Sequence, residues 1–180
     1  MQNKILLHAC CGICSAYPIL QLREMGYEPT VYFFNPNIYP DIEYEKRLEA
    51  ECKLCEYHNC DLIVGEYNQN DFFEKVTGLE NEPERGKRCD VCFELRLEKT
   101  AQKAKELDFS KFTTSIVISP HKNFAKLTEI GQKIAEKYYL EYVSIDFKKK
   151  NGFLNTNKIA NSLNLYRQNY CGCKFSIYKK

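Results

Sequence analysis

Six of the ten cysteines in this chain fall into three tight pairs: Cys10-Cys11, Cys89-Asp90-Val91-Cys92 and Cys171-Gly172-Cys173. The pairs lie near the start, middle and end of 180 residues, so only a folded site can unite them. Thiolate is the form of cysteine that binds soft metals and attacks disulfides. The pattern therefore points to a thiolate-bound metal centre with a redox-active thiol pair beside it. Cys14 follows the first pair at three residues, whereas Cys52, Cys55 and Cys60 are spaced more loosely.

Compartment decides how such sulfur is read. The opening Met1-Gln2-Asn3-Lys4 leads into only Ile5-Leu6-Leu7 before His8, and no apolar run approaches the ~20 residues that span a bilayer. The chain reads as cytoplasmic, with neither a signal peptide nor a membrane partner expected. Reducing compartments disfavour structural disulfides, which leaves metal binding or redox catalysis. A net charge of +2 does not announce a nucleic-acid protein, although Lys148-Lys149-Lys150 and Lys179-Lys180 offer local basic surface.

Each thiol group has its own argument. Cys10-Cys11-Gly12-Ile13-Cys14 sits where a strand should turn into a helix, and the positive helix end lowers a thiol pKa there. Gly12 would let a bulky ligand approach the backbone. Cys89-x-x-Cys92 has the spacing of two ligands on one metal or of a redox dithiol. It follows a polar loop carrying Glu80, Glu82, Arg85 and Arg88, read as an active-site rim. Cys171-Gly172-Cys173 could add ligands or open and close as a reversible disulfide, in a tail that Tyr170, Phe175, Ile177 and Tyr178 should pack. Cys52 and Cys55 continue the apolar stripe Tyr44, Leu48, which reads as core. His8 borders the first cluster as a tuning group or a structural histidine. Spacing alone leaves zinc and an iron–sulfur cluster both open.

The elements that must position these groups alternate between β-rich runs and helical patterns. Strands are expected at Ile5-Leu6-Leu7, residues 30–34, 62–64, 112–118 and 142–147; helices at 15–25, from 41, 71–76, 90–107, 124–139 and 157–163. This order predicts a single α/β domain over residues 1–180, with a parallel sheet flanked by helices. Ligands in such sheets bind at the carboxyl ends of the strands, where Cys10-Cys11 would lie. Neither a GxGxxG nor a Walker-type phosphate loop is present, and an ATP-dependent sulfur-transfer enzyme would need such a glycine loop.

A set of motifs in fixed order adds a resemblance. His8-Ala-Cys10-Cys11-Gly-Ile-Cys14-Ser15, Gly78-Leu79-Glu80-Asn-Glu82-Pro83 and Arg88-Cys89-x-x-Cys92-Phe93 come first. Thr113-Thr114-Ser115, Ser119-Pro120-His-Lys122, Asp146-Phe147-Lys148-Lys149 and Leu165-Tyr166-Arg167-Gln168-x-Tyr170-Cys171-Gly172-Cys173 follow. Across nearly its whole length the chain resembles the QueH family, the cobalamin-independent epoxyqueuosine reductases. The resemblance implies an adenine-nucleotide α-hydrolase-like (HUP/Rossmann-like) core and a [4Fe-4S] cluster. It implies reduction of the epoxide of epoxyqueuosine at the tRNA wobble position, with an electron donor as second partner. By position it makes Cys10, Cys11, Cys89 and Cys92 the cluster ligands and Cys14 a ligand of a second iron ion. Cys171 and Cys173 become the paired catalytic thiols, Tyr166, Tyr170 or Glu82 proton donors, and Glu80, Glu82, Arg88, Lys122 and Arg167 substrate contacts. Two other readings compete: a zinc-stabilised tRNA-binding module and a thiol-disulfide oxidoreductase.

Overall fold

The computed structural model describes residues 3–177, so Tyr178 and the Lys179-Lys180 pair lie outside the described residues. Five parallel strands form the sheet: β1 (Asn3–Ala9), β2 (Tyr27–Phe33), β3 (Leu62–Val64), β4 (Lys111–Thr114) and β5 (Glu141–Tyr142). Their spatial order is β3-β2-β1-β4-β5. β1 is the central strand and its Ile5, Leu6, Leu7 and Ala9 are fully buried, as a strand covered on both faces requires. The order reverses between β1 and β4, which opens a crevice where their two following loops diverge. His8 ties these strands together beneath it: its Nε2 donates to the Phe34 carbonyl and its Nδ1 accepts from the Thr114 hydroxyl, both at 3.0 Å. Burial, then Arg96, lowers its pKa to about 4, so His8 is a neutral, structural histidine.

Helices α1 (Gly12–Glu24), α2 (Asp41–His58), α3 (Gln69–Lys75), α4 (Lys87–Glu106), α5 (Phe124–Tyr138) and α6 (Gly152–Ser162) cover the sheet. α1 packs against α2 and α6, and α4 against α3 and α5. α1 begins earlier than the expected residue 15. Cys11 is its N-cap, so Cys14 lies in the first helical turn. Gly12 serves a different purpose from the one expected: a Cβ there would meet the Ala50 carbonyl oxygen at 2.5 Å. The missing side chain lets α1 lie close on α2 and does not make room for a ligand. Gly12→Ala is expected to cost about 1–3 kcal/mol by overpacking, read from urea denaturation midpoints.

Two expected strands are shorter than their apolar runs. β4 stops at Thr114 because its hydroxyl accepts the Ile116 N–H at 3.2 Å and caps a 3-10 turn over Ser115–Ile118. The turn is as buried as a strand would be, which is why Ile116-Val117-Ile118 reads as one. β5 stops at Tyr142, since the next carbonyl, Val143, accepts from the Thr113 hydroxyl at 2.8 Å in place of a ladder bond. Conversely, α6 starts at Gly152, earlier than the expected 157.

Candidate metal and thiol site

Two helix N-termini and the chain's tail converge above the β1/β4 crevice. Cys10 and Cys11 end the β1 loop, Cys14 sits in the first turn of α1, and Cys89 lies in the first turn of α4. Cys92 follows Cys89 by three residues on the same face of α4 and is buried. The sulfurs of Cys10, Cys11 and Cys14 lie within 4.8 Å of one another, with Cys11 and Cys14 Sγ 2.9 Å apart. Cys89 and Cys92 are outside that tight triad. Cys89 Sγ accepts the Arg85 backbone N–H at 3.2 Å. All ten cysteines are free thiols.

Electrostatics make the triad ready to hold a cation. Hydrogen bonds from the Cys11 and Cys14 thiols, with help from Arg96, hold Cys10 well below the usual thiol pKa against the effect of burial. The neighbouring Cys10 raises Cys14, and burial raises Cys11, so one negative charge is shared by three sulfurs. Burial pushes Cys92 up to about 12. Arg96, one turn beyond Cys92, is buried among these groups. Burial disfavours its charge, yet Cys92, Cys10, Cys171 and Cys89 hold its pKa above the ordinary value. That guanidinium lines the same cleft as Cys10, Cys14 and Cys171.

The tail is fixed by a second buried arginine. Arg47 donates from Nε to Glu43 at 2.7 Å, and from its two terminal nitrogens to the Cys171 and Tyr170 carbonyls at 3.1 Å each. Gly172 has φ of +111°, and a Cβ there would sit 2.8 Å from the Arg47 guanidinium, so both backbone and packing demand glycine. Backbone bonds then attach the tail to the loop after β2, where Tyr39 N–H donates to Gly172 O at 2.8 Å and Ile38 bridges Cys173. Gln168 reaches inward, donating Nε2 to Cys11 Sγ at 2.8 Å, while its buried Oε1 has no partner among the described residues. Soft thiol donors, one of them anionic, form a donor set that fits a soft metal group.

An open cleft of about 680 Å³ adjoins the triad, lined by Cys10, Cys14, Arg85, Arg96, His121, Lys122, Gln168, Tyr170 and Cys171 among others. Lys122 Nζ lies 3.2 Å from Cys171 Sγ and 3.3 Å from Glu84. Burial works against its charge, but Cys171 and Glu84 carry its pKa up to about 12. A smaller cavity of about 380 Å³ shares Arg85, His121 and Lys122 and adds Cys89, Asn123 and Lys126.

Several expected contacts belong elsewhere. Arg88 is no phosphate contact: it is 2% exposed and its guanidinium donates to the Leu79, Glu80 and Glu82 carbonyls, holding the polar loop to α4. Glu80 accepts from Gly78 N–H, and Glu82 from Lys87 N–H, so both carboxylates brace this loop away from the cleft lining. The Tyr166 phenol is committed to Glu43 Oε2 at 2.6 Å, and the Tyr170 phenol to the Tyr39 carbonyl, so neither proton is offered to the cleft. Arg167 is exposed and bonds Asn157 and Asn161 of α6. Of the three expected basic substrate contacts, Arg88, Lys122 and Arg167, Lys122 alone lines the cleft, with its charge facing a thiol. Arg47, Arg96 and Gln168 carry the site without having been singled out. The clue for Arg96 is its four-residue step from Cys92, and for Gln168 its place in the run before Cys171.

Behind the triad, Glu51 is fully buried between Ser15 Oγ at 3.2 Å and the Cys55 thiol at 3.9 Å. Burial raises its pKa from 4.5 to about 8, with the Ser15 hydrogen bond opposing. The folded chain keeps a proton here that the unfolded chain has released, so stability falls as pH rises from about 4.5 to 8 and levels off above. Glu51→Gln should flatten that slope and raise the urea midpoint at the alkaline end; an unchanged slope would contradict the assignment.

The fold and site together define an α/β unit built on a five-stranded parallel sheet, with a cluster of thiols at the topological switch of that sheet. The family model described as "Epoxyqueuosine reductase QueH" matches residues 5–179. A Streptococcus pyogenes relative named epoxyqueuosine reductase QueH is 39% identical, over 98% of this chain and 71% of its own length. A Thermotoga maritima relative of the same name is 34% identical, over 99% and 92% respectively. This chain belongs to the QueH family of epoxyqueuosine reductases. Among solved structures, the U34-tRNA thiolase NcsA from Methanococcus maripaludis, described with its [4Fe-4S] cluster, superposes with a TM-score of 0.61 at 13% identity, over 98% of this chain and 62% of that one. A predicted tRNA methyltransferase subunit from Methanocaldococcus jannaschii gives 0.57 at 13% identity, over 87% and 74%. These two likenesses establish the fold. No helix among the described residues is long and apolar enough to cross a membrane.

Proposed function

We propose that this chain reduces the epoxide of epoxyqueuosine at the wobble position of a tRNA anticodon, giving the alkene of queuosine and water. The observation that carries the reading is a thiol triad at the β1/β4 switch whose cleft also takes Cys171 and adjoins a cavity lined by Cys89, in a chain matched over residues 5–179 by the QueH family. Cys10, Cys11, Cys89 and Cys92 would hold a [4Fe-4S] cluster, and Cys14, packed against Cys10 and Cys11, a second iron. The cluster reported on the thiolase of like fold supports this choice over zinc. Bound there, a cluster supplies electrons one at a time.

The residues of the chain complete the requirement of two electrons and two protons. Cys171 and Cys173 give up both on closing to a disulfide, and so act as a two-electron store at the cleft wall. Lys122 keeps its ammonium proton 3.2 Å from Cys171 Sγ, within reach of that sulfur and of the cleft. Together with Arg85 and Lys126 it presents cationic groups for anticodon-loop phosphates. A wobble base lies in a loop, where it can be splayed into a cleft of this size at modest cost. A separate electron donor recharges the site, and the working compartment is the cytoplasm.

Metal analysis after anaerobic purification separates this reading from its rivals. Iron with acid-labile sulfide and a brown colour is expected. About one zinc and no colour would favour the binding module. Disulfide reduction without any metal would favour the thiol oxidoreductase.

A further inference from the structure

We propose that Cys55 and Cys60 form a second thiol–disulfide site, separate from the cleft, that reacts with small disulfides of the oxidised-glutathione class. Cys55 is buried in the core, as its place on the apolar stripe predicts, and Cys60 is half-buried; both also line an open depression of about 280 Å³ with Cys52, Glu56, Asn59 and Asp61. This depression faces the opposite edge of the sheet from the cleft. Cys60 precedes β3, at the amino ends of the strands, whereas Cys10 follows β1 at the carboxyl ends.

The pairing comes from the way α2 ends. Asn59 adopts a left-handed conformation with φ of 47°, its N–H bonds the Glu56 carbonyl at 3.1 Å, and Cys60 N–H bonds the Cys55 carbonyl at 2.9 Å. These two bonds are the Schellman motif, whose accompanying side-chain contact joins the residue three before the cap to the one after the left-handed residue. Here both of those residues are cysteine. The motif that terminates the helix thus brings two cysteine side chains to the same helix end, from which their sulfurs can turn from Glu51 and the Pro29 carbonyl to close a disulfide.

The surroundings favour reaction at Cys60. Arg23 donates to the His58 carbonyl at 2.7 Å and the Asn59 carbonyl at 3.1 Å, placing a guanidinium over the negative end of α2. The hydrogen bond from Cys55, then Arg23, lowers the Cys60 pKa, while Cys55 is raised and keeps its proton. Cys60, half-buried and with the lowered pKa of the two, is the sulfur that attacks once its thiol proton leaves the Pro29 carbonyl, to which it donates at 3.0 Å. It attacks one sulfur of oxidised glutathione and expels a glutathione thiolate. Cys55 then loses its proton, displaces the second glutathione and closes the ring. Two protein thiols become one disulfide, and one disulfide becomes two glutathiones.

The test uses the native, metal-loaded protein under anaerobic conditions with oxidised glutathione, followed by acid quench, alkylation and trypsin without reduction. Peptide 54–75 contains Cys55 and Cys60 and no other cysteine, while Cys52 falls on the preceding peptide. That peptide is expected to lose two hydrogens and resist alkylation. Cys55→Ser should instead accumulate glutathione on Cys60, and Cys60→Ser should leave Cys55 unmodified. Full alkylation of both thiols at every glutathione concentration, or a Cys52–Cys60 crosslink in place of the internal bridge, would overturn the proposal.

Discussion

Cys10→Ala is expected to lose its iron and its epoxyqueuosine reduction together, with activity falling more than about a hundredfold. The size follows from position. Removing a group one step away from a bound metal already costs about 10–100-fold, and Cys10 is the anionic member of the sulfur triad. Cys11 and Cys14, both held protonated by their surroundings, cannot replace that charge without an energetic cost. Iron and sulfide assays with single-turnover kinetics read both losses. Cys52→Ser is the control, since Cys52 lies on the depression at the far edge of the sheet and should keep full iron content and rate.

Arg47→Leu is expected to destabilise the chain by about 3–5 kcal/mol and to release the tail that carries Cys171 and Cys173. Its guanidinium is 2% exposed and its partner Glu43 7%, so removing one leaves a buried carboxylate without its counter-charge. The Tyr170 and Cys171 carbonyls lose their donors at the same time. Tyr166 would still reach Glu43, which gives the carboxylate a partial refuge. Denaturant midpoints give the first quantity, and amide hydrogen exchange over residues 165–173 the second. Exchange there that stays at the native rate would show that the tail is held by other means.

The sheet was legible because its strands are short apolar runs broken by turn residues. The ends were less so. At Ser115–Ile118 a buried 3-10 turn and a strand present the same apolar run, and only the Thr114 hydroxyl distinguishes them. The thiol pairs were legible because spacing carries their chemistry. Arginines misled in both directions for one physical reason: sequence does not say which charged residue is desolvated. Arg88 reads as a surface cation and is a buried clamp on three carbonyls, whereas Arg47 and Arg96 sit on helices as if solvated and are enclosed by the site. The Cys55–Cys60 pairing was hidden because it depends on a left-handed Asn59, not on helical spacing.

The central claim is that these gathered thiols drive reduction of an RNA-borne epoxide. Its most direct test is one anaerobic reaction of the iron-loaded chain with tRNA carrying epoxyqueuosine and a chemical reductant, with the nucleosides digested and weighed by mass spectrometry. Conversion to queuosine by the native chain and none by Cys10→Ala is the predicted result. Equal conversion by both, or none by the iron-loaded native chain, would contradict it.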